Sequence, residues 1–593
     1  MSGPQQIAPL GPKDKFSPEM RILVASLLSM GVILLWAKFF GPKPPATLPN
    51  QAPAAQTAPA TPGPAYQPNS ATPSATSQAG LTASAAANSA IAQKADSQER
   101  TIVIENDLYR VEISNRGAVV KSWQLKKYLD DSKPQRVLDV VHPETSKQTG
   151  GWPFSLTIDD PQMEAAANSA LYQISSSAEK MTLSAPADAE FSWSDGRLEI
   201  TKHFYFDHTY VVRVETSVKY NGAPVTAGLA WRGGFGDLTV TNPVPVETVT
   251  TYYSENGKLE TFAYKKLDGP EKWGATWHGG IDFAGIADRY FTAAFLPANG
   301  SATGTLQTRY WRVFHAVQAD GKETSEAVPE VATASRSQQP QILRVYVGPK
   351  DYDDLKKMNP PLHALVQFGW MEFIADPLFH LLKWLHTYIP NWGWTIVVLT
   401  LVINMLLFPL RITSYKTTLK MQRVAPEVKA IQDRYKKYKM NDPRKAEMNK
   451  EVMAVYSREG INPLGSCFQM FLQMPIWFGL NTALRYAIEL RHARWMWITD
   501  LSAKDPYYIL PVVVGVTMYL VSKMTPMTST DPQQQQMMKL MPISFAVMFV
   551  VFPFSSGLAL YILTSSLVGI GQQWYLNRAH PVTPVAKPVR NKK

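Results

Sequence analysis

A chain of 593 residues with 59 Lys and Arg against 48 Asp and Glu, a net charge of +11, is too long for one domain, and its average hydropathy hides a soluble part beside a membrane part. A single cysteine, Cys467, excludes a disulfide-stapled fold, so any extracytoplasmic region must bury a core of its own. The sequence holds no Gly-rich phosphate loop, no His-Glu-x-x-His and no nucleophile elbow, so neither an enzyme nor a metal, cofactor or small-molecule substrate is expected.

Residues 1–20 carry Lys13 and Lys15 ahead of an apolar run in 21–40, the charge flank of a membrane anchor. Lys38-Phe39-Phe40-Gly41 is not a small-x-small cleavage pattern, so the anchor is expected to stay attached. Residues 41–98 are Pro, Ala, Ser, Thr and Gln with few large apolar side chains, a tether that cannot offset its ordering entropy by burial. From 99 to 350 the pattern alternates, with Tyr109, Val111 and Ile113 before Asn115-Arg116-Gly117, and Tyr210, Val212, Val214, Thr216 and Val218 before Asn221-Gly222. Strands with turn chemistry between them, and Trp123, Trp193, Trp231, Trp273 and Trp277 among them, predict one large antiparallel β-sandwich. In the segment 361–390, Leu378, Leu381, Leu382, Leu385 and Ile389 fall opposite His380, Lys383 and Thr387, which predicts an amphipathic helix floating at the outer interface.

The segment 391–576 holds five apolar stretches, at 394–410, 464–484, 509–521, 540–554 and 557–571, set against the roughly 20 residues that cross about 30 Å of hydrocarbon, the third and fourth being short, which implies a thinned bilayer or a protein-lined notch. A basic insert at 412–460 divides them, and 411–460 carries thirteen Lys and Arg against six acidic residues. The tail, 577–593, is basic with no acid, so both are expected in the cytoplasm. Met421, Val424, Val428, Ile431, Tyr435 and Tyr438, then Met448, Val452 and Val455, form a seam at steps of four and three and predict a helical hairpin. Pro426 is expected to start or kink its first arm, Asp442-Pro443 to open the returning arm, and Gly460 to stop it. The fold class is therefore a polytopic α-helical membrane protein with six transmembrane helices, both termini cytoplasmic, a large antiparallel β-sandwich outside the cytoplasm and a cytoplasmic helical hairpin.

In the first of the five spans Thr400, Asn404 and Arg411 stand at i, i+4 and i+11, close to one stripe. Helical side chains lean toward their N-terminus, so Arg411 leans back toward Asn404 from about 10 Å along the axis. Polar residues inside a span are expensive, and their default reading is functional. With Gln473 and Asn481 on the next span, and Tyr561 and Thr564 on the last, they form a candidate client groove that is wet and open to the inner leaflet. The rival readings are a channel or secondary transporter for a small solute, which would want paired broken helices, and a carbohydrate-binding envelope protein built on the sandwich.

Asn462-Pro463-Leu464-Gly465-Ser466-Cys467, Gln473-Met474-Pro475-Ile476, Asp505-Pro506-Tyr507-Tyr508-Ile509-Leu510-Pro511 and Ser556-Gly557-Leu558-Ala559-Leu560-Tyr561 resemble the YidC/Oxa/Alb family of membrane protein insertases. The motifs cover about 370–576, and the anchor, tether and sandwich resemble the Gram-negative YidC form over nearly the whole chain. The resemblance implies a bacterial inner-membrane insertase whose clients are nascent membrane proteins. It also implies a hydrophilic groove, a client-receiving hairpin, and partnership with the Sec translocon, the ribosome and membrane lipids. The family's intramembrane Arg, five residues before Pro409-Leu410, is here Asn404, and Ile562 stands where some relatives carry an aromatic or polar residue. Arg411 is expected to substitute in part for the missing cation.

Overall fold

The structure is a computed structural model that describes residues 92–175, 182–237, 239, 249–262, 273–298, 302–315, 324–335, 340–366, 368, 371–438, 442–461, 463–525, 540, 544, 548 and 554–581. The expected anchor, most of the tether, most of the 540–554 span and the tail beyond 581 lie outside the described residues.

Strand alternation builds the first half. Strand Leu198–Phe206 alternates between buried and half-buried positions along its whole length, and strand Val211–Tyr220 turns Val212, Val214, Thr216 and Val218 inward. At the end of Val211–Tyr220, Asn221 and Gly222 both take positive φ, 51° and 78°, the tight hairpin turn that an Asn-Gly pair favours. Gly117 has φ 73°, and a Cβ there would lie 2.5 Å from the Asn168 carbonyl oxygen, so only glycine closes that turn.

Among the described residues the strands form three sheets, of ten, five and five strands, where the sequence suggested one antiparallel sandwich. All strand pairs among the described residues are antiparallel except Thr101–Glu105 with Thr182–Ser184. That short parallel partner covers an edge that would otherwise expose unpaired backbone groups, a long-range pairing that alternation cannot reveal. The sheets bury an aromatic core in which Trp123 stands 5.5 Å from Tyr109 and 6.2 Å from Phe154, itself 6.0 Å from Trp231.

The helical half comprises α1 (Glu372–Tyr388), α2 (Trp392–Arg434), α3 (Arg444–Arg458), α4 (Pro463–Tyr486), α5 (Ile509–Met524) and α6 (Ser556–Ala579). The Asn391 side chain caps α2 by accepting from the Trp394 N–H, and the helix then runs 43 residues through Pro409 and Pro426. The first apolar span and the first hairpin arm are thus one element, where Pro426 suggested a start or kink. A proline removes a single ladder bond, and the buried seam beyond it holds the arm in register. That seam packs Val424, Val428 and Ile431 against Val455 and Ile461, with Met421, Tyr435, Met448 and Val452 at its edge. Tyr438 lies instead at the tip, with Arg444 over its ring. Asp442 accepts from the Arg444 N–H to start α3, and Gly460 follows it at φ 60°.

Helix α1 buries one face, Ala375, Phe379, Leu382 and Leu385, packs on α4, and directs Lys383 into an acidic clamp of Asp351 (3.4 Å), Asp353 (2.6 Å) and Glu489 (2.9 Å). Lys383 is the residue expected on a wet face; its partners lie 32, 30 and 106 positions away, beyond the reach of helical periodicity. A second junction ties the sheets to the 491–508 loop, where Arg491 pairs with Asp237, their side chains both 4 % exposed, and His492 lies 2.6 Å from Asp131. The hydrophobic core runs without a break from the sheets into the upper ends of α1, α2, α4 and α6.

Candidate functional groove

Helix α2 supplies one wall of the site. Thr400 is fully buried and its hydroxyl donates back to the Ile396 carbonyl at 2.7 Å. One turn on, the Asn404 amide donates to the Thr400 carbonyl at 2.8 Å, while its side-chain oxygen accepts from Ser565 at 3.4 Å. Arg411 leans back as its helical setting requires, donating through Nη1 to Gln572 Oε1 at 2.8 Å and through Nη2 to the Gly569 carbonyl at 3.3 Å. The Gln572 amide in turn donates to the Asn404 main-chain carbonyl at 3.2 Å. One glutamine on α6 therefore links the two positions on α2 that matter most.

The third wall is α4, where the Gln473 amide donates to the Tyr561 hydroxyl at 3.3 Å. Between the three helices lies a cavity of about 240 Å³, lined by Asn404, Leu407, Arg411, Gln473, Ser565 and Gln572. Five of these six side chains are polar, and among the described residues no carboxylate forms an ion pair with Arg411. A volume of this size, with donors, acceptors and one cation, suits water and a small charged or polar group.

Of the seven residues that the sequence put in a groove, Asn404, Arg411 and Gln473 line the cavity and Tyr561 stands behind Gln473. Thr400 and Thr564 do not, because both hydroxyls are spent on their own helices, Thr564 on the Leu560 carbonyl at 2.8 Å. Asn481 lies about 12 Å along α4 from Gln473, at 1.5 Å per residue, and is outside the cavity. Leu407, Ser565 and Gln572 were missed. A signal existed for two of them: Tyr561, Ser565 and Gln572 repeat the i, i+4, i+11 spacing of Thr400, Asn404 and Arg411.

Beyond the cavity toward the hairpin, a second polar knot joins three helices. Asn577 accepts from Tyr415 at 2.8 Å and from Gln573 at 3.0 Å, and donates to the Met524 carbonyl at the end of α5 at 3.1 Å. The outer surface of the same helices is apolar, with Leu406 80 %, Met405 75 % and Val512 58 % exposed. Among the described residues one helix, α2, is both long and apolar enough to cross a membrane, and α5 is a shorter apolar helix. The groups Asp131, His492 and Asp500, which could hold a metal ion, lie at the sheet junction rather than in the cavity, and Arg491 stands 3.7 Å from Asp131.

The sequence matches the family described as 60Kd inner membrane protein over residues 384–583 and that described as YidC periplasmic domain over 101–381. It is similar to a membrane protein insertase YidC from Citrifermentans bemidjiense, 33% identical over 570 residues that span 95% of this chain and 99% of the relative. Another from Syntrophus aciditrophicus is 30% identical over 570 residues, 94% and 99% of the two chains. A crystal structure of an active YidC insertase, with the first transmembrane domain resolved, matches at 18% identity and a TM-score of 0.33, over 82% of this chain and 95% of that one.

Proposed function

The chain belongs to the YidC/Oxa/Alb family of membrane protein insertases, with nascent membrane proteins as its clients and a periplasmic domain on an inner-membrane body, and from that premise we propose how its groove works. The groove opens to the cytoplasm and the inner leaflet, and the polar cavity between α2, α4 and α6 is the observation that carries the reading. A client's short polar segment loses several kcal/mol on entering hydrocarbon, and a wet notch reaching partway across shortens that path. The apolar part of the client then leaves sideways into lipid, with no nucleotide hydrolysis. The membrane potential favours outward passage of acidic residues by about 2.3 kcal/mol per charge per 100 mV.

Arg411 supplies the cation of this groove in place of one at Asn404. It is tied to Gln572 and Gly569 on α6, and Gln572 is tied to Asn404, so its charge is held toward the cavity and not released to the surface. Six transmembrane helices with both termini cytoplasmic place the α2–α3 hairpin and the basic tail on the ribosome side, where they receive clients alone or together with the Sec translocon. The 12 basic residues of the insert at 412–460 and the acid-free tail support that placement.

Two measurements test this. In a background with Cys467→Ser, a thiol introduced by Asn404→Cys reacts with hydrophilic reagents from the cytoplasmic side and crosslinks to nascent chains; an unreactive thiol in dry packing sinks the groove. In cells carrying Arg411→Ala, insertion of a client with an acidic translocated segment falls several-fold, and wild-type efficiency there removes Arg411 from the mechanism.

A further inference from the structure

Arg411 is a cation in a lined cavity with no described carboxylate beside it, and such a group is costly unless an anion completes it. Two of its five N–H donors are engaged, one on Gln572 and one on Gly569. The Ser565 hydroxyl and the Gln473 amide line the same volume, which at roughly 30 Å³ per water is room for about eight waters. That is space for a headgroup phosphate with its solvation.

The depth of the site says which anion is at hand. Trp574 and Tyr575 on α6 are 57 % and 54 % exposed, Tyr575 lies 6.1 Å from Phe408 on α2, and Arg578 stacks over Trp574 at 5.6 Å. Exposed aromatics with a cation beyond them mark the boundary between hydrocarbon and headgroups. On one side of that boundary the exposed residues are Met405, Leu406 and Leu567. Arg411, three residues past Phe408 and leaning back to Gly569, therefore sits at phosphate level. Lipid phosphate is present there at all times, whereas a client carboxylate arrives only during insertion.

Building on the groove reading above, we propose that the phosphodiester of an anionic inner-leaflet phospholipid occupies the cavity at rest, with its phosphate on Arg411, and that an arriving client displaces it. Gln572 is the positioning residue that turns the guanidinium toward this ligand. Insertion then begins as an exchange of one anion for another, with no interval in which the cation is left bare.

The test is native mass spectrometry of the full chain in detergent micelles titrated with phosphatidylglycerol, in wild type, Arg411→Gln, Arg411→Lys and Arg423→Gln, the last an exposed cation on the hairpin arm. Expected is one tightly held lipid in wild type, with affinity about tenfold lower in Arg411→Gln, the scale of one charge-assisted hydrogen bond. Arg411→Lys and Arg423→Gln retain it, and in wild type phosphatidylcholine, whose choline neutralises its phosphodiester, binds more weakly than phosphatidylglycerol. Equal phosphatidylglycerol affinity in wild type and Arg411→Gln overturns the assignment. So does displacement of the lipid by millimolar inorganic phosphate, which would make this a site for free anions. Client insertion measured on the same variants keeps the two readings apart: lost insertion with unchanged lipid binding sinks the lipid and spares the groove, and the reverse pattern sinks Arg411 as the client's cation while the lipid stands.

Discussion

The sheets and the helices of this chain sort the same residue types in opposite directions. In the sheets Trp123, Trp231 and Phe154 are fully buried, and among the described residues the large apolar side chains that reach the surface, Leu129 and Val137, are only 38 % and 41 % exposed. In α2 the order inverts: Leu406 and Met405 face outward while Thr400 and Asn404 are inside. Water selects the first arrangement and hydrocarbon the second, because lipid removes the hydrophobic gain from burying a leucine yet keeps the penalty for exposing an amide. The sheets also break their own rule, most fully at Lys202, which points into the core and donates to the carbonyls of Gly117 (2.7 Å), Phe154 (2.8 Å) and Ala118 (3.1 Å).

The comparison breaks most visibly if Trp123→Ala is cheap. Removal of this indole from a filled core costs about 3–5 kcal/mol, read as a lowered unfolding midpoint by near-UV circular dichroism. A loss under about 1 kcal/mol would mean that the sheets do not pack as a water-soluble core.

Lys202 gives a pH signature that only a core excluding water can produce. Burial pushes its ammonium down to about 7 from an ordinary 10.5. Between those values the unfolded chain binds a proton that the folded chain does not, so stability rises with pH across the window. The slope approaches about 1.4 kcal/mol per pH unit. The checking measurement is the difference in unfolding free energy between wild type and Lys202→Met from pH 7 to 10; a flat difference shows that Lys202 titrates as if in water.

Leu406→Arg sharpens the other side. At a position 80 % exposed this change is nearly neutral in a water-facing protein, but facing lipid it costs about 2–3.5 kcal/mol, read as folded fraction in bicelles. Lys258→Leu, at an exposed strand position, leaves the midpoint unmoved. A small effect belongs to Asn481→Leu, which removes a polar group outside the cavity and costs about 0.6 kcal/mol, with client insertion unchanged. Loss of insertion in that variant would extend the groove toward the sheets.

Local chemistry was legible in the sequence. Alternation located the strand faces, Asn221-Gly222 the hairpin turn, and steps of four and three the Val424–Val428–Ile431 seam, because each depends on neighbours within a few positions. The wall residues of the groove were half legible: the stripe on α2 was visible among apolar residues, but Ser565 and Gln572 sit in a helix already crowded with Gln573 and Asn577, where the same spacing does not stand out. Nonlocal contacts were not legible. The Lys383 clamp, the parallel strand 182–184 and the Arg491 junction each join residues far apart in the chain, and nothing in a local pattern announces them.

The continuity of α2 has a mechanical consequence. Pro409 lies two residues before Arg411 and Pro426 lies on the hairpin arm, so the ladder gaps where a helix yields most readily fall at the cavity wall and at the arm. About 35 Å of helix, at 1.5 Å per residue, separates Arg411 from the end of the arm at Arg434. A load on that end thus reaches the cavity wall along one continuous helix, without any loop having to carry the force.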